Sequence, residues 1–100
     1  MRYRNPSEVL SPRDAIRSVE VVFEDPEGVS IAKIQWYDQT VIGMRWNIAL
    51  REWDDPQKIS EAKECLGMPV SRGYPTWFIL PNDITKDDSG LSKALKKIIK

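Results

Sequence analysis

Residues 29–47 read VSIAKIQWYDQTVIGMRWN, and the parsing of this stretch decides the fold. Over 29–37 β-branched and aromatic residues alternate with polar ones. Ala32, Ile34 and Trp36 share one face, and Lys33 and Gln35 take the other, with Ile31 and Tyr37 beside them. A second run, TVIGMRWN over 40–47, repeats the pattern. Its larger apolar residues, Ile42, Met44 and Trp46, read as the core face, and Val41, Gly43 and Arg45 as the opposite one. Asp38-Gln39 makes a tight connection, though without the glycine that a primed turn prefers.

A third strand precedes this pair. In IRSVEVVFE, residues 16–24, Val19, Val21 and Phe23 fall on one face and Ser18, Glu20 and Glu24 on the other. Asp25-Pro26-Glu27-Gly28 supplies a turn, with proline second and glycine fourth. Three strands with short links predict an antiparallel meander. Farther upstream, residues 1–14 read as an irregular segment with at most one helical turn. Asn5 caps it, Pro6 takes the first helical position, and Ser11-Pro12 breaks it.

Downstream, IALREWD over 48–54 fits either an extension of the strand or a loop. Asp55 then caps and Pro56 opens a helix with Ile59, Ala62, Lys63 and Leu66 on one side, stopped by Gly67. TWFIL, residues 76–80, is a short strand apolar on both faces, which predicts a place inside the sheet or under a helix. Residues 91–100, LSKALKKIIK, form an amphipathic C-terminal helix with Leu91, Ala94, Leu95, Ile98 and Ile99 on one side. The expected fold is one α+β domain over residues 1–100. Its order is β-β-β-α-β-α: the meander, a fourth short strand, and two helices packed on one face of the sheet.

Composition narrows the function classes. Fifteen Lys and Arg balance fifteen Asp and Glu in 100 residues, so no global field draws the chain to nucleic acid or to an anionic membrane. The balance hides an asymmetry. Four of the fifteen bases fall in residues 91–100, which hold no acid, leaving eleven bases against fifteen acids in residues 1–90. Cys65 is the only cysteine, so no internal disulfide is expected, and its neighbours read as a helix filled by a small buried side chain. The first residues lack the apolar run of a signal peptide, and no stretch approaches the roughly 20 apolar residues of a membrane span. A cytoplasmic protein is the expectation.

The chain has no histidine, which removes the commonest general base and the commonest metal ligand. The acidic groups Glu24-Asp25-Glu27, Asp54-Asp55 and Asp83 with Asp87-Asp88 lie where turns and caps want aspartate, and none has the spacing of a calcium loop. No catalytic residue, metal site or cofactor is assigned. Trp36, Trp46 and Trp77 read as core residues, whereas Trp53, between Glu52 and Asp54, reads equally as a lid or an exposed contact.

One loop stands apart. In SRGYP, residues 71–75, Gly73 and Pro75 suit an abrupt strand entry, but that role does not require Arg72 or Tyr74. These two, with Arg45 on the outward face of the third strand, make a candidate contact surface; Trp53 and the tail lysines Lys93, Lys96, Lys97 and Lys100 complete the candidates.

The motifs N-P-S-E at residues 5–8, S-P-R-D at 11–14, R-W-N at 45–47 and G-M-P-V-S-R-G-Y-P-T-W-F-I-L-P at 67–81 resemble a group of small uncharacterised bacterial proteins. The resemblance implies a bacterial cytoplasmic origin and carries no activity. The favoured class is a non-enzymatic interaction module with a protein partner and no membrane. The alternative is single-stranded nucleic-acid binding, with Tyr37, Trp53 and Tyr74 as stacking platforms and Arg45, Arg72 and the tail lysines on phosphates. A carboxylate-dependent enzyme is the least favoured.

Overall fold

The computed structural model describes residues 1–86 and 88–98. Three strands, β1 (Ile16–Glu24), β2 (Val29–Trp36) and β3 (Gln39–Trp46), form the expected antiparallel meander. There follow a one-turn helix α1 (Pro56–Ile59), a small hairpin of β4 (Val70–Ser71) and β5 (Tyr74–Pro75), a short strand β6 (Phe78–Leu80) and the helix α2 (Gly90–Ile98). Strand β6 pairs antiparallel with β3, giving a four-stranded sheet of order β1-β2-β3-β6, and β4–β5 stands as a second, two-stranded sheet. The architecture is α+β. Among the described residues no helix is long and apolar enough to cross a membrane.

The inward face of β3 is the reverse of the expectation. Tyr37 and Asp38 form the turn, so Trp36 lies opposite Gln39, Ile34 opposite Val41, Ala32 opposite Gly43 and Ser30 opposite Arg45. A two-residue turn always sets even positions of β2 against odd positions of β3, and directly opposed residues share a face. Once Ala32, Ile34 and Trp36 face the core, Val41, Gly43 and Arg45 must do so too. Ile42, Met44 and Trp46 therefore point outward, and Trp46 is 48% exposed. Strand β1 departs in a similar way. A register shift between Val21 and Phe23 keeps Val21 opposite Ala32 but sets Phe23 opposite Ile31, turning Phe23 to the outer face.

The core is built from Val9, Ile16, Ala32, Ile34, Val41 and Trp77, with Leu10, Val19, Val21, Trp36 and Ile79 packed around it. Trp77 is the largest of these, and its indole N–H donates to the Val9 carbonyl at 2.7 Å. Gly43 makes room for it: a Cβ there would sit 2.3 Å from Ile34 Cδ1 and 3.1 Å from the Trp77 ring.

What covers the inner face is not a pair of helices. The N-terminal segment lies along it, joined to the later chain by parallel bridges between Tyr3 and Cys65 and between Ser11 and Thr76. A 3-10 turn at Pro6–Glu8 is capped by the Asn5 side chain, as its sequence suggests. Cys65 is therefore buried in an extended segment, not on a helix. Asp55 does cap α1 through Gln57 N–H, but the helix stops after one turn because Glu61 takes a left-handed conformation (φ 66°). Helix α2 packs chiefly on the 3-10 turn Asn82–Thr85, where Ser92 Oγ donates to the Ile84 carbonyl, and leaves Leu95 and Ile98 exposed. Strand β6 forms an edge of the sheet, with Phe78 59% exposed, in place of the enclosed position expected for TWFIL.

Burial separates the tryptophans energetically. Trp77→Ala is expected to cost about 3–5 kcal/mol, by lost burial and the cavity left behind. Trp46→Ala should cost only about 1 kcal/mol. Urea unfolding midpoints check both, and equal losses would contradict the inward face of β3 described above.

Candidate functional site

The segment after β3 has little repeating structure, so its backbone needs partners from elsewhere. Two buried charges supply them. Arg45, 2% exposed, reaches from β3 beneath the segment and donates to the carbonyls of Leu66, Thr76 and, at 3.3 Å, Pro69. Burial pushes its pKa down to about 10, opposed by the nearby Glu52, so it stays charged at neutral pH. Glu52, 5% exposed, ends the 3-10 turn Leu50–Glu52. One carboxylate oxygen accepts from the amides of Ala49 and Gly67, both at 2.9 Å. The other accepts from Leu66 N–H at 2.8 Å and the Lys58 ammonium at 2.9 Å. Burial alone would raise the Glu52 carboxyl, but these donors outweigh it and hold its pKa below the usual range. Lys58 is also fixed, donating to the Glu64 carbonyl at 2.7 Å.

The same region anchors the N-terminus. Glu64 pairs with Arg4 at 2.5 Å and with Arg2 at 3.6 Å, and the terminal ammonium lies 3.1 Å from Glu61. Tyr3 donates to the Glu24 carboxylate; burial, with that hydrogen bond, pushes its phenol up to about 12. Burial likewise pushes the Cys65 thiol up, aided by Glu52, so it is not primed as a nucleophile. Among the described residues no three His, Cys, Asp or Glu side chains gather in a metal-binding cluster.

This polar knot sets the geometry of an apolar surface. Trp46 N–H donates to the Met68 carbonyl at 2.8 Å, and Met68 N–H returns a bond to Trp46 at 3.0 Å, so the two residues face each other across an antiparallel bridge. On one side of them lies a cleft of about 340 Å³ lined by Ile48, Ala49, Leu50, Trp53 and Glu27. On the other, a shallower hollow of about 170 Å³ adds Met44, Pro69 and Phe78. From there an apolar row crosses the outer sheet face, Phe78 opposite Met44, Met44 opposite Ile31 and Ile31 opposite Phe23. Asn47 braces the acidic rim: it accepts from Ser30 Oγ at 2.7 Å and donates to the Asp25 carbonyl at 2.8 Å, fixing the 25–28 turn beside the cleft.

The candidate residues from the sequence are dispersed. Trp53 lines the cleft. Arg72 and Tyr74 lie exposed on the β4–β5 hairpin, whose turn residues Arg72 and Gly73 both have positive φ, 52° and 83°. Tyr74 borders a different groove with Pro75, Arg4 and Arg13. Lys93, Lys96 and Lys97 are exposed on α2, and Lys100 lies outside the described residues. Arg45 is not on the outward face: register turns it inward, where three carbonyls occupy its guanidinium. The surface missed by sequence reasoning is that of Trp46, Met68, Leu50 and Phe78. The parity of the β2–β3 hairpin was the signal that would have turned Trp46 outward.

No family model, curated protein or solved structure matches the chain.

Two outcomes follow from this geometry. Because the Glu52 carboxyl is lowered in the folded state, its contribution is present above the unfolded value of about 4.3 and lost as pH falls through the lowered one. Glu52→Gln should cost about 3 kcal/mol or more at neutral pH and flatten the acid limb of a stability–pH profile. At the hairpin, Gly73→Ala should cost roughly 1 kcal/mol from its positive φ alone, since an added Cβ meets nothing within 4 Å. Arg72→Asn, which tolerates positive φ, should raise the thermal midpoint.

Proposed function

We propose that the protein is a non-enzymatic interaction module that docks another protein through the surface centred on Trp46 and Met68. The observation that carries this is a contiguous, exposed run of aromatic, methionine and leucine side chains on a platform fixed by backbone pairing. Exposed apolar surface of this kind, rich in Trp and Met, is the composition of an interface centre. Methionine also adapts its shape to a partner at low cost.

The alternatives draw less from the geometry. General acid–base work finds little support: the buried Glu52 carboxylate already accepts four donors, the chain has no histidine, and Glu27 is the one acidic residue among those lining the cleft. A single-stranded nucleic acid would need a continuous track of aromatics and bases. Tyr37 sits at the β2–β3 turn, edge-on to Trp36, at the opposite end of the hairpin from the cleft that Trp53 lines, and Arg45 is withdrawn into the core.

A Trp46→Ser, Met68→Ser double variant tests the reading, because both side chains are about half exposed and neither belongs to the core cluster. Wild type and variant are immobilised and passed over lysate of the source cells, with thermal midpoints measured in parallel. A protein retained by the wild type and lost on the folded variant is the expected result. Equal retention on both, or tight binding of an oligothymidylate in place of protein, overturns the reading.

A further inference from the structure

The docking surface has a complementary surface on the same molecule. Helix α2 carries Leu91, Ala94, Leu95 and Ile98 at the i, i+3, i+4, i+7 spacing of a single apolar ridge. The start of the helix packs on the Asn82–Thr85 turn, and Ile98 is 77% exposed. The ridge spans about 10 Å along the helix, and the cleft lined by Ile48, Leu50, Trp53 and Met68 offers it apolar side chains.

Charge gives the fit a direction. The ridge is flanked by Lys93 and Lys97 and belongs to a segment with no acid. Glu27 lines the cleft, Asp25 stands before it on the same turn, and Asp54 follows Trp53. A chain of zero net charge whose body is acidic and whose last helix is basic is electrostatically complementary to itself. In this structure no described residue of α2 lines the molecule's own cleft; the helix packs on the Asn82–Thr85 turn instead. Strand β6 runs from Phe78, opposite Met44, to Leu80, opposite Ile42, and so carries the chain away from Trp46 before α2 begins.

We propose that the occupant of the Trp46–Trp53 cleft is a second copy of this chain, each copy laying the Leu91–Leu95–Ile98 ridge of its α2 into the cleft of the other. The exchange is reciprocal, so it closes as a two-fold dimer. This rests on the docking-surface reading above and names its partner.

The test uses the full chain in sedimentation equilibrium over a wide concentration range, with Ile98→Asp and Trp46→Ser as single variants. Ile98 is largely and Trp46 about half exposed, and circular dichroism checks that each variant is folded. The wild type is expected to dimerise, and each variant to raise the dimer dissociation constant about tenfold or more. Mixing the two variants supplies the decisive arm. A mixed dimer retains one intact contact, the normal ridge of the Trp46→Ser copy in the normal cleft of the Ile98→Asp copy, whereas each variant's own dimer retains none. The mixture should therefore associate more tightly than either variant alone. A wild type that is monomeric throughout, a dimer indifferent to Ile98→Asp, or a mixture no tighter than its components overturns the proposal. If the chain is monomeric yet loses a captured protein on Trp46→Ser, Met68→Ser, only self-docking fails; if those substitutions change neither result, the docking surface fails with it.

Discussion

Two charged side chains lie inside this small chain, and the irregular half of the molecule is arranged around them. Arg45 takes carbonyl oxygens and Glu52 takes amide hydrogens from the same short stretch, so that Leu66 is held at both its N–H and its C=O. Buried separately, either charge would be costly; buried among backbone dipoles of the opposite sense, each is satisfied. The backbone gains as well. Residues 47–69 include only two single-turn helical pieces, Leu50–Glu52 and Pro56–Ile59, and without these side chains the amides of Ala49, Leu66 and Gly67 would lack acceptors. The pair thus takes the place that a packed helix would hold in a more regular α+β domain.

This arrangement explains why the apolar surface lies where it does. The inner sheet face is closed by the N-terminal segment and by the chain leading into Trp77, both tied to the knot through Glu64, Cys65 and the carbonyls that Arg45 holds. Among the described residues the outer face has no comparable cover, and Phe23, Ile31, Met44 and Phe78 cross it in a row. Met68 extends that row past the end of β3 because the knot fixes the chain on either side of it. The platform is therefore rigid backbone with adaptable side chains, the combination that lets a surface bind without first ordering itself.

The sequence made much of this legible, and the failures have local causes. Alternation gave all three long strands within a residue or two. Asp25-Pro26-Glu27-Gly28 gave its turn, and Asn5 and Asp55 gave their caps. Side-chain size then misled the reading of β3. Trp46 and Met44 are larger than Val41 and Gly43, but register is set by the turn, and a small inward Gly43 is what admits the Trp77 ring. The shift that frees Phe23 carries no glycine to mark it, and Glu61 ends α1 in a conformation its side chain does not favour. Of the site candidates, Trp53 lies on the apolar surface and Arg72 and Tyr74 on a separate hairpin. Glu52 drew no notice because its role depends on amides fourteen and fifteen residues away.

On the proposed reading, folding and docking are coupled. A chain of 100 residues with an open apolar face has a modest margin of stability, and any partner that covers the face adds to that margin by mass action. The coupling also runs through the knot. Protonating Glu52 in acid removes the charge that orders Leu66 and Gly67, and these residues lead directly into Met68. The surface would lose its shape before the sheet lost its pairing, since the β1–β2–β3 ladder draws on none of these side chains. Docking should therefore be more acid-sensitive than the meander itself. The charge that stands in for a missing helix in the fold also keeps the proposed docking surface in shape.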